Sequence, residues 1–277
     1  MRLPSSITPA CSSSASSTSS AMPFGVRARR SATSTGFSAA TSIFAAASTA
    51  SRSPAGGAGI VSRGIGRRSS VVISNGGGIK QYVQFIGRGV VGVAADDGRF
   101  LWGYNKIANN VANIPTPLVQ DDYVFCSSGY QTGAALLKLN ASGNGVEAEE
   151  VYFLDAKKLQ NQHGGLVMVG DYVYGGHGHK MGAPTCLEWK TGEIKWRKER
   201  GPGEASAAVA YADGNLYFRY ENGLVALIGA GPDSYELKGT FKIPDVEKPS
   251  WPHPVVVGGK LYLREQNRLY CYDVSAK

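Results

Sequence analysis

The feature that most constrains this chain is a hairpin that occurs twice with its tryptophan in register. Residues 186–196 read Cys-Leu-Glu-Trp-Lys-Thr-Gly-Glu-Ile-Lys-Trp: Leu187 and Trp189 alternate with their neighbours, a Lys190-Thr191-Gly192 turn follows, and Ile194 and Trp196 resume the alternation. Period-two alternation on both sides of a tight glycine turn marks a β-hairpin. Residues 91–102 repeat the pattern, with Asp97-Gly98 at the turn and Trp102 in the place of Trp196. A supersecondary unit repeated in register predicts a repeat architecture, and that prediction has to be settled before any local one.

Further units follow from the strands that come after turn residues. Val83, Val124, Val173, Leu216 and Leu261 line up at separations of 41, 49, 43 and 45. A strand precedes each turn, as in residues 207–211 and 254–257, and a third follows it, as in residues 135–139, 185–189, 224–228 and 268–272. A fourth, outer strand ends most units, at residues 100–102, 148–153, 194–196 and 235–241. Four antiparallel strands in a unit of roughly 44 residues is the arithmetic of a β-propeller blade. The fold class is therefore all-β, a propeller of four-stranded antiparallel blades. A sandwich would not ask for a fixed period, and no helical or leucine-rich repeat is visible. The last unit, residues 251–277, stops after three strands, so the count is four and a half to five blades in an incomplete ring. Nothing in residues 1–68 has the alternation to supply the missing strand. Exposed edge strands then call for missing sequence or another chain to cover them, and the chain reads as a truncated or misread form of a longer, exported bacterial protein.

Composition divides the chain in two. Residues 1–70 are a Ser/Ala/Thr/Gly/Arg mixture too poor in large apolar residues to offset its ordering entropy, which predicts a disordered leader ahead of a propeller domain at 71–277. The leader has no continuous apolar run of the kind a secretory signal requires. The formal net charge of +8 arises there: no Asp or Glu precedes Asp96, while ten Lys or Arg do, and the rest carries 19 basic against 21 acidic residues. A near-neutral folded part gives no basic face for nucleic acid. No run approaches 18 apolar residues, so no membrane-spanning helix is expected. The four cysteines, Cys11, Cys126, Cys186 and Cys271, lack any metal or disulfide spacing, and the last three fit buried strand positions.

Glu188, Thr191, Gly192 and Trp196, and in part Asp97, Gly98, Trp102 and Asp273, resemble the tryptophan-docking repeat of the pyrroloquinoline-quinone (PQQ) propeller family. The Trp-less units at 143–152 and 231–241 depart from it. For catalytic members the resemblance implies PQQ over the central channel, Ca²⁺ on carboxylate and amide oxygens, an Asp base and often an adjacent cysteine pair. No Cys-Cys pair exists here, and most acidic residues of the blades occupy turns, where Asp serves backbone geometry. For non-catalytic members it implies a scaffold of the kind found in the outer-membrane β-barrel assembly machinery, extracytoplasmic and binding a protein or polymer ligand. The scaffold is the first reading, and a PQQ-dependent alcohol dehydrogenase is the alternative.

Residues just before the first strand of each unit face the funnel of a propeller, which singles out Thr116, His163, Ser206 and His253 as a ligand-facing ring. Prolines and glycines that merely shape the crossover would give the same sequence. His177 and His179, two apart on an extended backbone, project to one side, and with His163 they form a candidate metal site. Arg219 with Glu221, and Arg264 with Glu265, read as surface ion pairs within their own loops. There is no Gly-x-Ser-x-Gly elbow, phosphate loop or His-Glu-x-x-His helix, which removes the common hydrolase, NTPase and zinc-protease signatures.

Overall fold

A computed structural model describes residues 11–12 and 69–275. The first strand, Cys11–Ser12 (β1), is remote in sequence from the rest. The first sheet follows from Val72–Ser74 (β2), Gln81–Ile86 (β3), Gly89–Ala94 (β4) and Phe100–Tyr104 (β5). Leu118–Gln120 (β6), Tyr123–Ser128 (β7), Gly133–Ser142 (β8) and Gly145–Asp155 (β9) make the second. The third is Leu166–Val169 (β10), Tyr172–His177 (β11), Ala183–Glu188 (β12) and Ile194–Arg197 (β13). The fourth is Ala207–Ala212 (β14), Asn215–Tyr220 (β15), Leu224–Gly229 (β16) and Leu237–Lys242 (β17). Val255–Val257 (β18), Lys260–Glu265 (β19) and Arg268–Asp273 (β20) begin the fifth.

Each sheet is an antiparallel meander in sequence order, the fifth being closed on its outer side by β1. Cys11 lies opposite Cys271, and Ser12 opposite Tyr270. The sequence reading excluded residues 1–68 as a strand donor because they lack alternation. A two-residue ladder needs only backbone N–H and C=O groups, so side-chain pattern could not announce it. The expected disorder of the other leader residues falls outside the described part of the chain.

Sheets stack through their faces, and the first strands β2, β6, β10, β14 and β18 run side by side along the inner edge. Between successive sheets lie four apolar clusters: Val83, Phe85 and Val90 against Val124 and Leu137, then Phe125 and Leu136 against Val173 and Leu187. The third places Tyr174 and Cys186 against Leu216 and Phe218, and the fourth Tyr217 and Val225 against Leu261 and Leu263. The architecture is an incomplete β-propeller of five sheets. Among the described residues no helix is long and apolar enough to cross a membrane.

Both tryptophans of the hairpin lie between sheets. Trp102 belongs to the first cluster and donates Nε1–H to Gln81 Oε1 at 2.5 Å. Trp196 packs in the third cluster, edge-on to Tyr235 in the connection between β16 and β17, and donates to the Gly231 carbonyl of the same connection at 2.8 Å. One alignment is corrected. Val83 faces forward to the second sheet, whereas Val124, Val173, Leu216 and Leu261 face back to the sheet before them. Tyr82 is therefore their counterpart. The first turn contains a 3-10 segment at Gly76–Gly78 instead of two residues, so counting from it slips by one, and one residue in a strand exchanges the faces.

Candidate functional site

The meander order puts two kinds of segment at one end of the stack: the connections leading to each innermost strand, and the turns between the second and third strands. Every residue of the expected ring belongs to these connections, directly ahead of β6, β10, β14 and β18. Thr116 is half-buried and its Oγ1 accepts the Ser70 backbone N–H at 3.1 Å, tying the segment before β6 to that before β2. His163, Ser206 and the segment around His253 gather into a second group, so the structure brings three of the four together and leaves Thr116 with the first sheet.

The second group is built on close backbone approach. A Cβ on Gly164 would stand 1.6 Å from the Ala207 carbonyl oxygen, and the Gly164 carbonyl accepts the Val209 N–H at 3.2 Å. Gly165 has φ +64°, and a Cβ there would meet the His253 ring at 2.8 Å. Only glycine lets the connection lie this close to β14 while carrying the exposed His253 ring on top. The neighbouring Gln162 Oε1 accepts the Ser206 hydroxyl at 3.2 Å and the Lys180 N–H at 3.1 Å, which joins three segments through one amide.

His163 stands edge-to-face against the Trp251 ring with centroids 5.2 Å apart, and its Nδ1 is 3.8 Å from Glu221 Oε1. The same carboxylate oxygen accepts the Ser206 backbone N–H at 3.1 Å. Beneath this pair lies Arg219, 1% exposed, which bonds the Glu265 carboxylate and the Ser250 carbonyl. Glu265 is also 1% exposed. Burial lowers the Arg219 pKa from its usual value, while Glu265 and Glu221 oppose the shift. The reading of Arg219 and Glu265 as surface pairs within their own turns is thus corrected: they pair with each other, across two sheets and out of water. The crevice above them, lined by His163, Gly164, Ser206, Arg219, Ser250 and Trp251 among others, is too narrow to admit a water molecule. Trp251 is 45% exposed at its rim.

The structure does not bring His163, His177 and His179 together. His177 ends β11 with its ring buried, and its Nδ1 accepts the Gln160 backbone N–H at 3.2 Å. Desolvation, with Arg197 nearby as the lesser cause, lowers its pKa to about 4, so the ring is neutral near pH 7. His179 is exposed and packs against Tyr130 at 5.4 Å. Gly178, at φ +95°, turns the backbone between the two histidines, which removes the one-sided projection expected of an extended segment. Among the described residues no group of three or more His, Cys, Asp or Glu is placed to hold a metal ion.

Nor do the residues at this end fit a quinone with its calcium. Glu265 is committed to Arg219, and Glu221 to the Ser206 N–H and His163. Cys126, Cys186 and Cys271 are buried on β7, β12 and β20 of three different sheets, and burial pushes the Cys186 thiol up to about 11. A larger depression of roughly 440 Å³ lies at the opposite end, beside Ile79, Lys80, Tyr82, Asp96 and Arg99. Sequence reasoning missed Arg219 and Glu221 as members of the site, whereas Trp251 belongs to the segment ahead of β18 that it had placed there. A signal existed for Arg219: β15 reads Asn-Leu-Tyr-Phe-Arg-Tyr and β19 reads Lys-Leu-Tyr-Leu-Arg-Glu, an Arg recurring at one strand position.

Comparison with known proteins gives a family model, PQQ_2, described as outer membrane protein assembly factor BamB, which matches residues 55–198. Among solved structures, BamB from Moraxella catarrhalis superposes with a TM-score of 0.50 at 14% identity, over 70% of this chain and 54% of that one. A europium-containing methanol dehydrogenase gives a TM-score of 0.45 at 12% identity, over 64% of this chain and 42% of that one. The computationally designed Ika8 protein gives 0.42 at 8% identity, over 74% and 70%. The chain spans about half the length of the BamB structure it matches. No curated protein matches it in sequence.

Proposed function

Because this chain belongs to the family described as outer membrane protein assembly factor BamB, we propose that it is a non-catalytic PQQ-like propeller that binds a protein at the end carrying His163, Ser206 and Trp251. The compartment that follows is extracytoplasmic, and the task is a part in the assembly of outer membrane proteins. The observation that supports this reading is the state of that end: the Glu221 and Glu265 carboxylates are engaged, its crevice is too narrow for a water molecule, and an aromatic ring stands out at the rim. A small substrate needs an enclosed pocket with convergent polar groups, whereas a protein contact needs a protruding aromatic anchor in a packed surround. Exposed Val111 and Met181 lie on connecting and turn segments at this end too, which extends the apolar contact beyond one residue. The hairpin tryptophans serve as docking residues between blades in this reading, as the contacts of Trp102 and Trp196 suggest.

The test is complementation in cells of the source organism that lack the gene. Wild type should restore the level of folded outer-membrane β-barrel protein, and Trp251→Ala, present at equal abundance, should not. Full complementation by Trp251→Ala together with Met181→Ser would refute the site. Reduction of an electron-acceptor dye by the purified protein with PQQ, Ca²⁺ and an alcohol would refute the non-catalytic assignment.

A further inference from the structure

The shortest strand of the fold sets one cysteine opposite another. β1 runs antiparallel to β20 with Cys11 at the register position of Cys271 and Ser12 at that of Tyr270. No other cysteine of the described sheets has such a neighbour: Cys126 lies opposite Ala135, and Cys186 lies between Tyr174 and Trp196. Those two are sealed in the clusters between sheets, and burial raises the pKa of both thiols. Cys271 is a free thiol, 9% exposed, on the strand that β1 covers. Directly opposite residues of an antiparallel pair share one face of the sheet, and their Cα atoms stand about 4.5 or 5.5 Å apart according to whether they exchange hydrogen bonds. A disulfide spans Cα separations of about 4.4 to 6.8 Å, so either kind of position can carry one.

Backbone pairing alone is a weak reason for β1 to stay. Two ladder positions offer few hydrogen bonds, each of small net worth because the same groups can bond water instead. Against them stands the conformational entropy lost when residues so remote in sequence are fixed at the edge of the fold. We propose that Cys11 and Cys271 form a disulfide that fastens the leader to the outer edge of the fifth sheet. The oxidant is itself a disulfide, such as oxidised glutathione. One cysteine thiolate attacks an oxidant sulfur and releases a thiolate, and the second cysteine, having lost its proton, displaces the remaining oxidant thiolate from the mixed disulfide. The protein gives up two electrons and two protons, and one S–S bond of the oxidant breaks for the one that forms. The bond closes a loop of almost the whole chain, which restricts the unfolded state, and it keeps the β20 edge covered.

The purified full chain, equilibrated with reduced and oxidised glutathione, quenched with acid, alkylated in denaturant and digested, reveals its pairing by mass spectrometry, an outcome that does not depend on the function proposed above. The Cys11–Cys271 peptide pair should be the main disulfide product, in a monomer whose circular dichroism is that of the reduced chain, with Cys126 and Cys186 recovered as thiols. Register supplies the control. In Cys11→Ser with Ser12→Cys the cysteine moves one residue along β1, to the position opposite Tyr270 on the other face, and its link to Cys271 should fall severalfold at every glutathione ratio. Equal linkage by the shifted cysteine would overturn the proposal, because a leader meeting Cys271 at random would then suffice. Recovery of Cys11 and Cys271 mainly as glutathione adducts, or as a link between two chains, would overturn it as well.

Discussion

Substituting Glu265→Gln tests whether the fourth and fifth sheets are held together by a charge pair removed from water. Gln keeps the shape of the side chain and removes its charge. Arg219, 1% exposed and already without a partner at Nε, is left as a buried cation with the Ser250 carbonyl and a neutral amide beside it and only the more distant Glu221 carboxylate to oppose its charge. Removing one partner of a buried pair costs about 3 to 5 kcal/mol. With a urea m-value of about 2 to 3 kcal/mol per molar, the midpoint should fall by roughly 1 to 2.5 M. The loss should concentrate in one interface, so hydrogen exchange at Leu261 and Leu263 should accelerate before that at Val124 or Val173. The double substitution Arg219→Met with Glu265→Leu removes both charges and should return to within about 1 kcal/mol of the wild type. A loss for Glu265→Gln below about 0.5 kcal/mol, typical of a solvated surface change, would refute the buried pair. Additive losses in the double variant would do the same, since groups in contact do not behave independently.

Titration of His177 gives a second test. Its pKa in the folded chain, about 4, lies below the ordinary 6.5. The unfolded chain thus takes up a proton first, and stability should fall as the pH drops from 6.5 to 4, with a slope of up to one proton. His177→Asn should flatten that stretch of a midpoint-against-pH profile, and an unchanged slope would contradict the assignment. Trp196→Phe keeps most of the packing and loses the hydrogen bond to Gly231, for an expected cost of about 1 kcal/mol by denaturant melting. Gly164→Ala drives a methyl group into the Ala207 carbonyl and should cost at least about 2 kcal/mol, with the connection before β10 displaced and Trp251 fluorescence altered. A neutral Gly164→Ala would mean that the connection does not lie against β14.

The period of the sheets was legible because it is written in local pairs. Asp97-Gly98 and Thr191-Gly192 fix hairpins, and Trp102 and Trp196 mark the outer strands, all within a few residues of one another. Where local chemistry departed from the rule, the reading slipped. The glycine run at Gly76–Gly78 folds as a 3-10 turn, and Val83 was placed on the wrong face in consequence. β1 was invisible for another reason: its two residues contribute backbone groups to an edge, and backbone groups carry no pattern.

The site was less legible than the sheets because its chemistry is carried by residues far apart in sequence. Thr116, His163, Ser206 and His253 could be placed at one end, since each precedes an innermost strand, but position in a unit says nothing about partners. Glu221 and Glu265 each have an arginine two or fewer residues away, which invites a pairing within the turn. For Arg264 and Glu265 alternation forbids it: adjacent strand residues point to opposite faces, so these two cannot meet over the same surface. Glu265 points back to the fourth sheet, where Arg219 points forward, and the pair closes over a separation of 46 residues. Once the repeat is known, this pairing follows from parity alone. A cation on the forward face of one sheet and an anion on the backward face of the next are partners whenever they share a strand position, and Arg264 on the last forward face is the cation for which the described residues contain no such anion.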